Sequence, residues 1–194
     1  MLAILRFMLI GLSINVACFY TEKILSVEAN NIKTITVTSK SFKHLGEIPQ
    51  QFTCNGNNIS PALSWFGVPK RAKSLVLIVD DPDALDSSAR KTAWDHWVLY
   101  NLPTNITGLI ENVASNELPQ ETLQGKNDWQ KTGYKGPCPP IGQHHYYFKV
   151  YALDVVLPDL NTPNKSQLEY AMQGHIIGQG ALIGIYVSWR RFLF

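Results

Sequence analysis

The chain is poor in charge: only 16% of its 194 residues are Asp, Glu, Lys or Arg, and the formal net charge is +2. No run of Lys or Arg forms a basic stripe, which argues against nucleic acid as a partner. Cysteine is scarce, with three residues at Cys18, Cys54 and Cys138. No paired C-x-x-C occurs, and none of the five histidines stands in an H-x-x-x-H pair, so the short zinc spacings are missing. There is no G-x-x-x-x-G-K phosphate loop. Internal repeats and low-complexity linkers are absent, and helical periodicity is confined to one short segment. At this length a single domain is the expectation.

What is present begins with "MLAILRFMLIGLSINVACFY". Arg6 followed by a short apolar run reads as a secretory signal, and Ser13 and Asn15 interrupt the run too soon for a membrane span. Val27 and Ala29 place a cleavage site after Ala29. Residues 1–29 are therefore expected to be a leader, and 30–194 the domain of a periplasmic or secreted protein. "NVAC" at Asn15–Cys18 is a weak lipoprotein signal, with Asn15 where an apolar residue belongs. Cleavage leaves Cys54 and Cys138, an even pair in an exported protein, which invites a disulfide; two separate buried thiols are the alternative.

The rest reads mostly as strands. "KTITVTS" alternates Ile35 and Val37 with threonines, as a half-buried strand does. "SLVLIVDD" is apolar on both faces from Leu75 to Val79, which predicts a central strand covered on both sides. "WDHWVLYNL" puts Trp94, His96, Val98 and Tyr100 on one face by strict alternation, while "HHYYFKVYALD" and "GALIGIYVSWR" add two more strands. One helix is expected in "SQLEYAMQGHI", capped by Asn164 or Ser166, with Leu168, Met172 and Ile176 on one face. The pattern predicts an all-β sandwich with a minor helix.

Candidate chemistry gathers at strand ends. His144 and Tyr146 share a face of their strand, and His144 adjoins the loop "GYKGPCPPIG". Pro137, Pro139 and Pro140 stiffen that loop and remove donors, while Gly136, Cys138, Ile141 and Gly142 retain N–H groups. A rigid wall with a few donors beside a histidine suits an anion or a carbonyl oxygen. Asp81 and Asp83 lie in "DDPDA", where local Asx turns are the simplest role. Three uses of these residues compete: an anion pocket, a Cys–His hydrolase with Cys138 and His144 or His96, and a metal site of His96, His144 and Asp81.

Taken together, "FTCNGNNISPALSW", "DPDA", "DHWVLYNLP" and "GYKGPCPPIGQHHYYFKVYALD" resemble the phosphatidylethanolamine-binding protein family, in particular its bacterial Raf-kinase-inhibitor-like branch, over Ile35 to Val187. The resemblance implies a β-sandwich with a small cavity for anionic groups such as phosphate, phosphoryl head groups or acetate. It assigns ligand binding to Asp81, His96, His144 and Tyr146, with Trp94, Gly136 and Pro140 lining the same cavity. It implies a binding protein that needs no cofactor, with a kinase or protease as a protein target for inhibition. The open edges of a sandwich also permit a homodimer. Two positions depart from the family pattern: Leu85 follows "DPDA" where many relatives have Pro, and His145 stands in place of Arg. On this reading protonated His96 and His144 attract the anion, so affinity declines as pH rises.

Overall fold

The computed structural model describes residues 32–84 and 93–188. The expected leader at 1–29, Cys18 and Leu85 lie outside the described residues. In chain order the strands are β1 (Lys33–Thr34), β2 (Thr36–Thr38), β3 (Gly46–Glu47), β4 (Leu63–Phe66), β5 (Ser74–Asp81), β6 (Trp94–Leu102), β7 (Gly108–Leu109), β8 (Leu123–Gln124), β9 (Gly142–Leu153) and β10 (Ile176–Ser188). A helix, α1 (Lys165–Met172), lies between β9 and β10.

The larger sheet runs β1-β10-β9-β5-β6-β8, with β3 also pairing β10, and a smaller sheet runs β2-β4-β7. β5 sits between β6 and β9 and is buried at every position. Its continuous apolar run is what two covered faces require. Leu75, Leu77 and Val79 join Trp65, Phe148 and Leu182 in the core that also holds Val37 and Leu63 of the smaller sheet. Val76 and Ile78 point the other way and pack with Leu168 and Met172 of α1. The molecule is thus a β-sandwich with a short helix on its outer face.

The helix starts where the sequence marks it. The Asn164 side chain accepts from the Gln167 N–H, and the Gln167 side chain returns the bond to the Asn164 N–H, a reciprocal cap that satisfies two orphan groups. Ile176, expected on the helix, belongs to β10 but packs on the same apolar cluster. Gly174, at φ +78°, takes the chain out of the helix, because a left-handed residue ends it and glycine enters that region without strain.

Two strands differ from simple alternation. "KTITVTS" is two strands rather than one: β1 pairs with β10 of the larger sheet, and β2 pairs with β4 of the smaller sheet. The chain changes sheets at Ile35, whose N–H donates to Gln179 O at 2.8 Å. The second departure is in β6. Val79 pairs with Trp97 and Asp80 with Asp95, so the register skips His96. This bulge places His96 and Trp97 toward the same side, whereas alternation groups His96 with Val98 and Tyr100. Bulges bend a strand and re-aim a side chain, and here the side chain re-aimed is His96.

Candidate functional site

The bulge turns His96 toward the start of β9, where its ring meets Tyr146 edge-on with centroids 5.2 Å apart. Asp81, at the end of β5, lies beside both. Its Oδ2 is 2.7 Å from His144 Nδ1, and its Oδ1 accepts from the N–H groups of Asp83 and Ala84 at 2.9 and 3.1 Å. The Asx turn and the histidine contact therefore coexist in one carboxylate. His144 and Tyr146 stack with centroids 6.5 Å apart, consistent with their shared face.

These side chains border a cavity of about 300 Å³ lined by Asp81, Ala84, Trp94, His96, Trp129, Cys138, Pro139, Pro140 and Tyr146. Five of the seven residues assigned to ligand binding line it directly. His144 stands behind Asp81, and Gly136 stands behind the wall. Gly136 is there because nothing larger fits: a Cβ at that position would lie 2.0 Å from Phe52 O.

The wall is a pair of loops locked together. The Gly136 N–H, expected to be open, donates to Asn58 Oδ1 at 2.8 Å. Tyr134 O–H donates to Phe52 O, and the Cys54 N–H donates to Pro137 O, both at 3.0 Å. A Cys54–Cys138 disulfide closes the pair. The Cys138 sulfur is thus bonded to another sulfur and holds no thiolate for a Cys–His hydrolase. The metal reading also lacks a basis, since no group of three His, Cys, Asp or Glu side chains is arranged to hold an ion among the described residues.

The electrostatics differ from the expectation for His96. Its Nδ1 lies 2.6 Å from Lys135 O, and a carbonyl can only accept, so Nδ1 carries the hydrogen. Burial pushes the His96 pKa below the usual value of 6.5 and outweighs the opposing pull of the Lys135 carbonyl and nearby carboxylates. His96 is therefore a neutral imidazole near neutral pH, not an anion-attracting cation. Burial, and after it the Asp81 charge, pushes the Tyr146 pKa up, so its hydroxyl keeps its proton. That hydroxyl is buried and completes no well-formed hydrogen bond among the described residues, although the Asp81 carboxylate lies close enough to draw on its proton.

His96 sets a pH dependence on the fold. Its folded pKa is lowered, so below about 6.5 the unfolded chain binds a proton that the folded chain refuses. Stability is fully present above that value and is expected to fall as pH drops toward the folded pKa. Urea unfolding at pH 7.5 and pH 5 checks this, and His96→Gln should flatten the slope over that interval.

His145 does not simply leave the rim empty of charge. Its Nδ1 and backbone N–H both approach Asp83 Oδ2, at 2.7 and 2.8 Å. Burial alone would raise the Asp83 pKa, but these bonds prevail and lower it. Two neighbouring His–Asp contacts thus fasten the "DPD" turn to β9. Trp129, not singled out in the sequence, forms a cavity wall and meets His96 at 5.2 Å and Trp94 at 5.5 Å. Buried Asn127 positions it: its side chain accepts from the Trp129 and Lys131 N–H groups and donates to Gly133 O. The only sequence signal was an aromatic residue in the polar turn "KNDWQK".

The comparisons with known proteins agree with this architecture. A family model described as phosphatidylethanolamine-binding protein matches residues 38–187. The UPF0098 protein of Methanothermobacter thermautotrophicus is 48% identical over 157 residues, covering 80% of this chain and 97% of that protein. A crystal structure of a phosphatidylethanolamine-binding protein homologue from Chlamydia trachomatis is 43% identical, with a TM-score of 0.72 over 81% of this chain and 99% of that one. Escherichia coli YbcL, at 31% identity, superposes with a TM-score of 0.73 over 79% and 98% of the two chains. The relatives include archaeal as well as bacterial proteins, so the likeness is not confined to a bacterial branch. The chain belongs to the phosphatidylethanolamine-binding protein family.

Proposed function

We propose that this chain is a binding protein without chemistry of its own, and that its cavity takes a small oxyanion such as phosphate or a phosphoryl head group. The observation that supports this most is the buried Tyr146 hydroxyl, a donor at the cavity that completes no well-formed hydrogen bond among the described residues even with Asp81 nearby. A ligand oxygen would supply the missing partner. The Cys138 N–H on the same wall also makes no backbone bond among the described residues and is a second donor. His144 occupies Asp81 Oδ2 at 2.7 Å, which ties up part of the carboxylate that would otherwise face an anion.

Replacing Tyr146 with Phe tests the reading without disturbing the fold. Phosphate affinity is expected to fall about tenfold, the worth of a typical hydrogen bond. Thermal stability should stay nearly level, because the lost hydroxyl completes no well-formed hydrogen bond among the described residues. Calorimetric titration and a melting curve give both values, and undiminished phosphate affinity would remove Tyr146 from the ligand set.

Inhibition of a kinase or protease is the variant of this reading in which a target's loop presents the oxyanion to the same cavity. The disulfide favours export, since such bonds persist in oxidising compartments. Together with the N-terminal pattern it supports a periplasmic or secreted location.

A further inference from the structure

The hydrogen-bonding pattern of the cavity is mixed, and that narrows the oxyanion. With its Nδ1 hydrogen committed to Lys135 O, neutral His96 can offer only its Nε2 lone pair to a ligand. Asp81 adds a carboxylate whose two oxygens already accept bonds from Asp83, Ala84 and His144. Tyr146 offers a hydroxyl hydrogen. Among the described residues no Lys or Arg lines the cavity, so within that lining a dianion would meet Asp81 and the His96 lone pair without a matching fixed cation. The complementary ligand carries little net charge, an acceptor oxygen for Tyr146 and a donor hydrogen for His96.

We propose that the cavity selects oxyanions that keep one acidic O–H, namely monoanionic phosphate or a phosphate monoester, over phosphodiester head groups. This rests on the oxyanion reading above and adds a selectivity to it. In a bound monoanion the P–O–H donates to His96 Nε2, and a neighbouring phosphoryl oxygen accepts from Tyr146 O–H. A diester has acceptor oxygens only. It leaves His96 Nε2 unpaired between Trp94, Trp129 and the prolines, and a site built to accept a hydroxyl hydrogen strongly rejects an analogue that lacks it.

Two monoanions of equal size separate these cases: methyl phosphate and methyl methylphosphonate, in which a methyl group replaces the acidic O–H. At about pH 5.5 methyl phosphate is mainly the monoanion, because its second pKa is about 6. Titration of the mature protein, followed by NMR of the histidine rings, should show methyl phosphate binding at least tenfold more tightly. His96→Asn keeps an N–H for Lys135 O but loses the cavity lone pair, and it should shrink the ratio to about threefold or less. Equal affinities for the two ligands on the native protein would overturn the selectivity while leaving the oxyanion reading intact. Binding of neither ligand, nor of inorganic phosphate, would overturn both.

Discussion

Serine at both Cys54 and Cys138 is expected to cost the fold about 4–5 kcal/mol. The bridge spans a sequence separation of 84 residues, and in the chain-entropy account a closed loop of that size restricts the unfolded state by about this amount. The loss is a large share of the ~5–15 kcal/mol by which small domains are stable. The effect should also appear at the cavity. Without the bridge, the Cys138 wall keeps only its hydrogen bonds among the described residues, from Tyr134 and Gly136, to Cys54, and between Lys135 and His96. Hydrogen exchange at residues 54–58 and 134–138 should therefore rise more than exchange in β5. Denaturant unfolding of the double variant measures the stability term. A change below about 1 kcal/mol would show that the unfolded chain already holds the two loops together.

The second large effect lies on the opposite face of the larger sheet. Asp80 alternates away from Asp81, and its side chain is 1% exposed. Oδ2 accepts from Lys149 Nζ at 2.8 Å and Lys165 Nζ at 2.6 Å. Lys165 opens α1, and its Nζ also lies 3.2 Å from Asp95 Oδ1. One buried carboxylate thus joins β5, β9 and the first turn of the helix. Asp80→Ala would strand the Lys149 ammonium and leave the partly buried Lys165 with Asp95 alone, and breaking such a cluster from one side costs about 3 kcal/mol or more. Lys149→Met, at a side chain 27% exposed, should cost less than ~1 kcal/mol because Lys165 still pairs with Asp80. Denaturant curves for both variants check the ordering. Equal losses would mean that Lys149 carries nearly all of the pairing with Asp80.

Local chemistry accounts for what was readable in the chain. The unbroken apolar run of β5 announces a strand covered on both faces, and Asn164, one of two cap candidates in the sequence, is the residue that caps α1. Strand alternation brings His144 and Tyr146 to one face, and it also separates Asp81 from Asp80. What was not readable depends on partners distant in sequence. The bulge that turns His96 into the cavity exists only in the pairing of β6 with β5. Its tautomer is set by a carbonyl 39 residues away, and its neutral state by burial. Asp80 meets its two lysines across separations of 69 and 85 residues. Trp129 reaches the cavity through the Asn127 turn, which no alternation pattern encodes.

The central claim is that the cavity walled by Asp81, His96 and Tyr146 holds a small oxyanion. NMR titration of the protein with inorganic phosphate, following the histidine rings at two pH values, tests it most directly. The account predicts saturable shifts at His96 and His144, silent His44 and His175, weaker binding at the higher pH, and loss of the response in His144→Ala. Rings of His96 and His144 that stay unmoved in the folded protein across the titration would contradict it.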